Sequence, residues 1–265
     1  MGLLRKLLLS IVLISVSFSS MAWWGANGHR IVGEIADGYL SSKARKAIKE
    51  ILGNESVAMS SNWGDFIKSD STYDYLSPWH YINTKGGLTK DAFLTRLATD
   101  TGVNLYNKTN FVINELKNKQ LDKEKKILYL RLLIHFIGDL HQPLHVGGRA
   151  EDLGGNRVKV LWFNEPTNLH SVWDDKLVEQ QKLSYTEYAK AINHATKQQR
   201  QEWQKQPMQE WFYESYQVAQ GIYAGITQPE QKLWYDYNFK HLDTVNQCLL
   251  KGGVRLAGIL NEIFG

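Results

Sequence analysis

The residues able to do chemistry in this chain are histidines and carboxylates at helical spacing. His135 and Asp139 stand four apart in Leu133-Ile-His135-Phe-Ile-Gly-Asp139-Leu-His141-Gln-Pro-Leu-His145, so on a helix they share one face. Pro143 ends such a helix, and the turn it forces swings His145 back toward the same side. The spacing recurs in Asn168-Leu-His170-Ser-Val-Trp-Asp174. A single His-x-x-x-Asp pair is more often a surface ion pair or a satisfied buried histidine; two such pairs, together with His145, favour a metal. The apolar frame Leu132-Leu133-Ile134 and Phe136-Ile137 puts the first pair in a core-like setting, where an unpaired charge is costly. Imidazole and carboxylate suit Zn²⁺, and a catalytic zinc site leaves a position for water. A cysteine-rich structural zinc site is excluded, because Cys248 is the chain's one cysteine.

These residues need helices to hold them. Helical spacing is present in Ile31-Val32-Ile35-Ala36-Tyr39, in Ala44-Ala47-Ile48-Ile51-Leu52 and in Leu128-Leu130-Leu133-Ile134-Ile137. It predicts further helices around 184–205, 208–226 and 230–248, and a last one from Val254 to Phe264. Breakers fall between these runs: Pro78 before His80, Pro143 after a helix, Pro166 in a loop, Pro207 and Pro229 at helix starts, and Gly252 and Gly253 interrupting the tail. The strand signal is confined to Val158-Lys-Val-Leu-Trp-Phe163, which follows a turn at Leu153-Gly-Gly-Asn156. The expectation is an all-α, mainly helical single domain over 23–265 with at most one short β-hairpin and no internal repeat.

The 265-residue chain, 43% hydrophobic and 22% charged, has an ordinary globular composition, which excludes collagen-like, low-complexity and disordered readings. Its nine Trp and 13 Tyr exceed what a core needs and point to a binding surface with one wet edge. Residues 1–22 carry Arg5 and Lys6, an apolar run from Leu7 to Phe18 and then Ser20-Met21-Ala22, the pattern of a secretory signal peptide. No later segment approaches the roughly 20 apolar residues of a membrane helix. Removing Arg5 and Lys6 lowers the formal charge from +4 to about +2, so charge alone implies neither a nucleic-acid nor a membrane partner. One cysteine cannot form an intramolecular disulfide, and the sequons at Asn54 and Asn107 matter only in a eukaryotic pathway. An exported, bacterial periplasmic or secreted protein without a membrane anchor is expected.

Further segments join the set: Trp24-Gly-Ala-Asn-Gly-His29, Trp63-Gly-Asp65, His80-Tyr-Ile-Asn-Thr84, Gln142-Pro-Leu-His145 and Gly154-Gly-Asn156, with Arg255-Leu-Ala-Gly-Ile-Leu-Asn261 near the end. Taken with the two His-x-x-x-Asp pairs and in this order, they resemble the class I, tri-zinc, single-strand-specific nuclease and 3′-nucleotidase family. The resemblance implies a phospholipase C/nuclease-like helical fold and three Zn²⁺. Asp65, His80, His135 and Asp139 would hold the first, and His145, His170 and Asp174 the second. His29, a bridging Asp139 and the α-amine and carbonyl of an N-terminal Trp24 would hold the third, although signal-cleavage rules leave Trp23 as the first residue. Asp65 would orient or deprotonate the attacking water and Lys68 would bind phosphate; without the resemblance, Lys68 reads as a solvated surface lysine. Tyr81, Asn83 and Asn156 would form a nucleobase pocket, with Asn83 where the family often has Asp. His141, His194 and His241 have no counterpart and read as structural or exposed.

The implied activity is hydrolysis of RNA and single-stranded DNA to 5′-phosphorylated products, with 3′-nucleotidase activity on 3′-nucleotides, by a monomer. Two alternatives remain. A zinc-dependent phospholipase C is disfavoured by Asp174 standing where that family is associated with Glu. A non-catalytic zinc-binding protein is disfavoured by Asp65 and Lys68, which a zinc store does not need.

Overall fold

The computed structural model describes residues 25–265. Trp24, Trp23 and the signal segment 1–22 lie outside the described residues. The chain opens on α1 (Ala26–Gly38), whose Ile31, Val32, Ile35 and Ala36 form one buried stripe at helical spacing. Next come α2 (Ser42–Leu52), capped by the Ser41 side chain on the Ala44 amide, and the one-turn α3 (Val57–Ser60) and α4 (Trp63–Phe66). Two tight 3₁₀ stretches, Ile67–Ser69 and Ser71–Trp79, lead to His80. α6 (Leu105–Lys117), which follows α5 (Lys90–Thr99), packs on α7 (Lys123–His141).

Helix α7 is the spine. Asp122 caps its first turn through the Lys125 amide, and every residue from Leu132 to His141 is buried. Gln142 ends it and at the same time caps α8 (Pro143–Gly147), with Pro143 in the first turn, where a missing N–H costs nothing. Two short strands follow, β1 (Lys159–Trp162) and β2 (Glu165–Asn168), paired antiparallel. The chain continues through α9 (Leu169–Ser171), a π-helical turn at Val172–Lys176, α10 (Leu177–Glu179), α11 (Tyr185–Ile192), α12 (Lys197–Lys205) and α13 (Met208–Ala224). Strand β3 (Gln231–Leu233) precedes the long closing helix α14 (Tyr235–Phe264). The small sheet runs in the order β2-β1-β3. Among the described residues, no helix is long and apolar enough to cross a membrane.

The mainly helical expectation holds, and so does the turn before the hairpin: Leu153, Gly154 and Gly155 all take positive φ. Five details differ. The run at 184–205 is two helices, because Thr196 starts a new capping box. Pro166 sits in β2, an edge strand that tolerates a missing N–H. A third strand, β3, pairs parallel with β1, which takes the hairpin to a three-stranded sheet. Pro229 therefore lies in the turn before β3, and the helix starts at Tyr235. Gly252 and Gly253 lie inside α14 and do not break it. A Cβ built on Gly253 would fall 2.5 Å from Ile35 Cβ and 3.0 Å from the Val32 carbonyl, so glycine there lets α14 pack directly on α1.

Candidate metal centre

The C-terminal half of α7 carries the centre of the site. His135 and Asp139 project from one face, with His135 Nε2 3.2 Å from Asp139 Oδ2. His80, delivered by the 3₁₀ stretch, places its Nδ1 2.9 Å from Asp139 Oδ2 and 3.0 Å from His135 Nε2. The bend at Pro143 returns His145, whose Nδ1 lies 3.0 Å from Asp139 Oδ1. His170 and Asp174, on α9 and the π-helical turn, close the second side: His170 Nε2 is 3.0 Å from Asp174 Oδ2 and His145 Nε2 is 3.6 Å from Asp174 Oδ1. From α1, His29 stacks on the His135 ring at 3.9 Å and points Nε2 at Asp139 Oδ1, 3.6 Å away, and at Asp65 Oδ2, 3.9 Å away. A Cβ on Gly138 would lie 2.8 Å from His29 Cε1, so this helix crossing also requires glycine.

Three groups of metal-ligand type result among the described residues: His29, Asp65 and His135; His80, His135 and Asp139; and His145, His170 and Asp174. Four ligands at 2.0–2.1 Å around a tetrahedral ion stand about 3.3 Å from one another. The 2.9, 3.0 and 3.2 Å separations among His80, His135 and Asp139 come close to that spacing. The backbone fixes the outward nitrogens: His135 Nδ1 donates to the Ser61 carbonyl at 2.6 Å and His170 Nδ1 to the Gly154 carbonyl at 2.6 Å. Each ring's Nε2 then faces the cluster as a lone pair, the orientation that metal-binding histidines need. Both nitrogens of His29 and one oxygen each of Asp139 and Asp174 are buried with no hydrogen-bond partner among the described residues. Such atoms are rare unless a ligand satisfies them.

The electrostatics of the cluster are correspondingly tense. Burial, reinforced by the neighbouring His135, pushes the His29 imidazole down to about 3. Burial and the Lys68 ammonium do the same to His80, also to about 3. Burial works to lower His145 as well, but Asp139 and Asp174 outweigh it and raise that group to about 10. Asp139 is held well below the usual carboxylate range: burial opposes this, and His135, His145 and His80 overcome it. Protons and a metal compete here for the same lone pairs.

Asp65 and Lys68 stand at the rim. Asp65 Oδ1 accepts a hydrogen bond from Lys68 Nζ and lies 3.6 Å from His135 Nε2. The contact spans the junction between α4 and the 3₁₀ turn, with both side chains about a quarter exposed, so Lys68 is no simple surface lysine. Tyr81 and Asn83 follow His80 on a segment lashed to α8: the Ile82 amide donates to the His145 carbonyl at 2.8 Å and the Thr84 amide to the Gly148 carbonyl at 2.9 Å. Asn156 occupies the loop that packs Gly154 on Gly148, and its amide donates to the Leu153 carbonyl at 2.9 Å. All three residues are half-buried. His141 is buried away from the ligand groups, bonded to the Ile137 carbonyl and to Arg255.

Gln142, quoted above only as part of a motif, has a role that the motif does not signal. Gln142 is fully buried, donates from Nε2 to Asp174 Oδ1 and accepts the Leu144 amide at 2.6 Å. It thereby orients a carboxylate that lies far from it in sequence. A glutamine ahead of proline signals a helix cap, and nothing local signals its second bond.

Comparison with known proteins places this geometry. The family model described as S1/P1 Nuclease matches residues 24–265. The chain is 32% identical to Endonuclease 2 of Arabidopsis thaliana over 91% of each protein. It is 28% identical to Nuclease P1 of Penicillium citrinum, over 91% of this chain and 98% of that protein. It is likewise 28% identical to Nuclease S1 of Aspergillus oryzae, over 62% of this chain and 57% of that protein. With a family match over nearly its whole length, and clustered histidines and aspartates to go with it, the chain belongs to the S1/P1 nuclease family, hydrolases of phosphodiester bonds in nucleic acids.

Proposed function

We propose that the protein is an exported, zinc-dependent endonuclease that cleaves RNA and single-stranded DNA to 5′-phosphorylated products and also removes phosphate from 3′-nucleotides. The observation that carries this reading is His29: a fully buried imidazole with neither nitrogen hydrogen-bonded among the described residues, aimed at two carboxylates. Zinc suits such a donor set of imidazole and carboxylate. His80, His135, Asp139 and Asp65 would hold one ion, and His145, His170 and Asp174 a second. His29 and Asp139, with the amino terminus of a chain processed to Trp24, would hold a third. Bound there, the ions would supply a water of lowered pKa and neutralise charge developing on the phosphate.

The chain's own groups do the rest. Asp65, the only partly exposed carboxylate of the cluster, accepts a proton from the attacking water or aligns it. Lys68 meets the phosphate oxygens; burial lowers its proton affinity, and Asp65 and Asp139 act against that loss. Tyr81 stacks on a base, and Asn83 and Asn156 offer amides to its edge. Stacking contributes roughly 1–3 kcal/mol per base with little sequence preference. A single strand presents an unstacked base easily, which accounts for a single-strand preference without a large basic patch.

The deciding experiment is cleavage of single-stranded DNA and RNA by the processed protein before EDTA, after EDTA and after zinc is restored. Loss and recovery of cleavage supports the reading. A fully zinc-loaded protein that leaves both nucleic acids intact overturns it, and phosphatidylcholine becomes the next substrate to try.

A further inference from the structure

Beyond the metal groups, the segment that leaves His145 ends in an arginine with no counter-charge among the described residues. Arg149 has its backbone fixed on both sides: its carbonyl accepts the Gly154 amide at 2.9 Å and its amide donates to the Tyr223 hydroxyl at 3.3 Å. Its guanidinium lies over the Tyr223 ring, 4.3 Å from the centroid. Among the described residues no carboxylate comes within ion-pair distance of it, and its Nε is buried without an acceptor. Asp152, three residues on, is already engaged, taking the Tyr223 hydroxyl at 2.9 Å and the Gly155 amide at 2.7 Å on one oxygen.

A second orphaned donor sits beside it. Gln220 uses Oε1 to accept the Gly87 amide at 3.2 Å, and its Nε2 is buried with no acceptor among the described residues. Both side chains border Gly86: a Cβ built there would lie 3.0 Å from Gln220 Oε1 and 3.6 Å from Arg149 Nε and Nη2. The turn Lys85-Gly86-Gly87 is itself pinned through the Tyr216 hydroxyl, which donates to the Lys85 carbonyl at 3.0 Å and accepts from the Leu88 amide at 2.8 Å. Lys85 is exposed at the outer edge. The fixed Arg149 guanidinium and the exposed Lys85 ammonium flank a turn with two glycines, and Gln220, its Oε1 taken by the Gly87 amide, keeps Nε2 to donate: a donor-rich setting for an oxyanion. Asn83 lies two residues before this turn, and the Thr84 amide ties the segment to Gly148, next to Arg149.

We propose that Arg149, Gln220 and the Lys85-Gly86-Gly87 turn form a second anion site, which grips a backbone phosphate of the nucleic-acid strand beyond the one at the metal groups. The site rests on the nuclease reading for its ligand, and it makes the protein favour polynucleotides over mononucleotides. A 3′-nucleotide has a single phosphate, committed to the metal groups, and leaves this site empty. A strand fills both.

The test uses the zinc-loaded protein and a fluorescent single-stranded oligonucleotide whose methylene-bridged phosphonate linkages keep their charge but cannot be hydrolysed. Binding is followed by anisotropy across a salt series, and cleavage of an ordinary oligonucleotide and of a 3′-nucleotide is measured in parallel. Arg149→Met is expected to weaken oligonucleotide binding roughly tenfold. It should also make the slope of log K against log salt shallower by about 0.7, the loss of one phosphate contact on a single strand. Arg149→Lys should restore the slope and only part of the affinity, and Gln220→Met should weaken binding with the slope kept. In cleavage, kcat/KM for the oligonucleotide should fall well beyond that for the 3′-nucleotide. A purely structural role for Arg149 would lower both substrates alike and leave the slope as it was, which overturns the inference, as does an unaltered affinity in the Arg149 and Gln220 variants. If the wild type binds with the Arg149-dependent slope yet cleaves nothing, the function falls and the anion site stands. If it cleaves but binds no differently from the variants, the reverse holds.

Discussion

Helix α7 carries two buried polar clusters on opposite sides of its last turns, and they are built on opposite principles. On one side, His135 and Asp139 meet His80, His145 and His29, with lone pairs converging and both His29 nitrogens without a hydrogen-bond partner among the described residues. On the other side, His141 donates from Nδ1 to the Ile137 carbonyl at 2.7 Å and accepts the Arg255 guanidinium on Nε2 at 3.0 Å. Arg255 in turn donates to Gln206 at 2.7 Å and Glu214 at 2.8 Å, and Lys251 completes the group on Glu214 at 3.2 Å. Apart from Arg255 Nε, this second cluster settles its own hydrogen bonds, and it binds α7 to α13 and α14. Burial of histidine alone therefore says nothing about function. What separates the two sides is whether donors meet acceptors or acceptors meet each other.

The largest effect should come from Asp139→Asn. Asp139 reaches toward His29 and His145 with one oxygen and toward His80 and His135 with the other, so the change reduces the ligand power of all the groups it joins. Cleavage should drop to background and bound zinc, counted by elemental analysis, should fall by more than one ion per chain. Full zinc content in that variant would mean that Asp139 holds no metal. Chelation comes next. Each site kept at a hundred times its Kd adds about 2.7 kcal/mol to stability, so removing zinc should lower Tm by roughly 5–10 °C per site in a chain of this length. A scan with and without EDTA measures it, and an unmoved Tm would place the metal groups on the same footing as the His141 cluster.

Much of this contrast was legible in the sequence, for a physical reason. His135 with Asp139 and His170 with Asp174 are local pairs on helices, and Pro143 announces the bend that returns His145. The joining of Asp65, His80 and His29 to them is long-range, and only the family resemblance supplied it. In the fold, β3 escaped because three residues carry no periodicity of their own; pairing with β1 makes them a strand. Gly252 and Gly253 read as breakers because local propensity disfavours glycine in a helix, whereas close packing of α14 on α1 demands it. Arg149 and Gln220 meet only across the fold, and neither has a neighbouring motif to betray it.

Arg255→Met tests the other side of α7. Removing the buried guanidinium should cost about 1–3 kcal/mol, because His141 loses the donor on its buried Nε2, whereas Glu214 is about a third exposed and keeps Lys251. The variant should unfold at lower urea concentration while keeping its full complement of zinc and its kcat at temperatures where it is folded. A loss of zinc in step with stability would show that the two clusters act as one.

The smallest effect sharpens the rule. His241 also has a buried Nε2 without a hydrogen-bond partner among the described residues, yet it lies between Trp173 and Tyr237, and the one charged neighbour that shifts it is Lys240. An orphaned nitrogen with no carboxylate opposite is a packing compromise. Burial, with Lys240, pushes its proton affinity down to about 4. A folded value below the unfolded value near 6.5 gives stability that is present above pH 6.5 and is lost as pH falls toward 4. Solvent still reaches the ring, so the loss should amount to no more than about 1 kcal/mol. His241→Phe should leave zinc content and cleavage intact and flatten the stability curve between pH 6.5 and pH 4 relative to the wild type, both read by urea titration at fixed zinc. A fall in zinc content would instead make His241 a partner of the metal groups, and an orphaned nitrogen by itself would then be enough to mark a ligand.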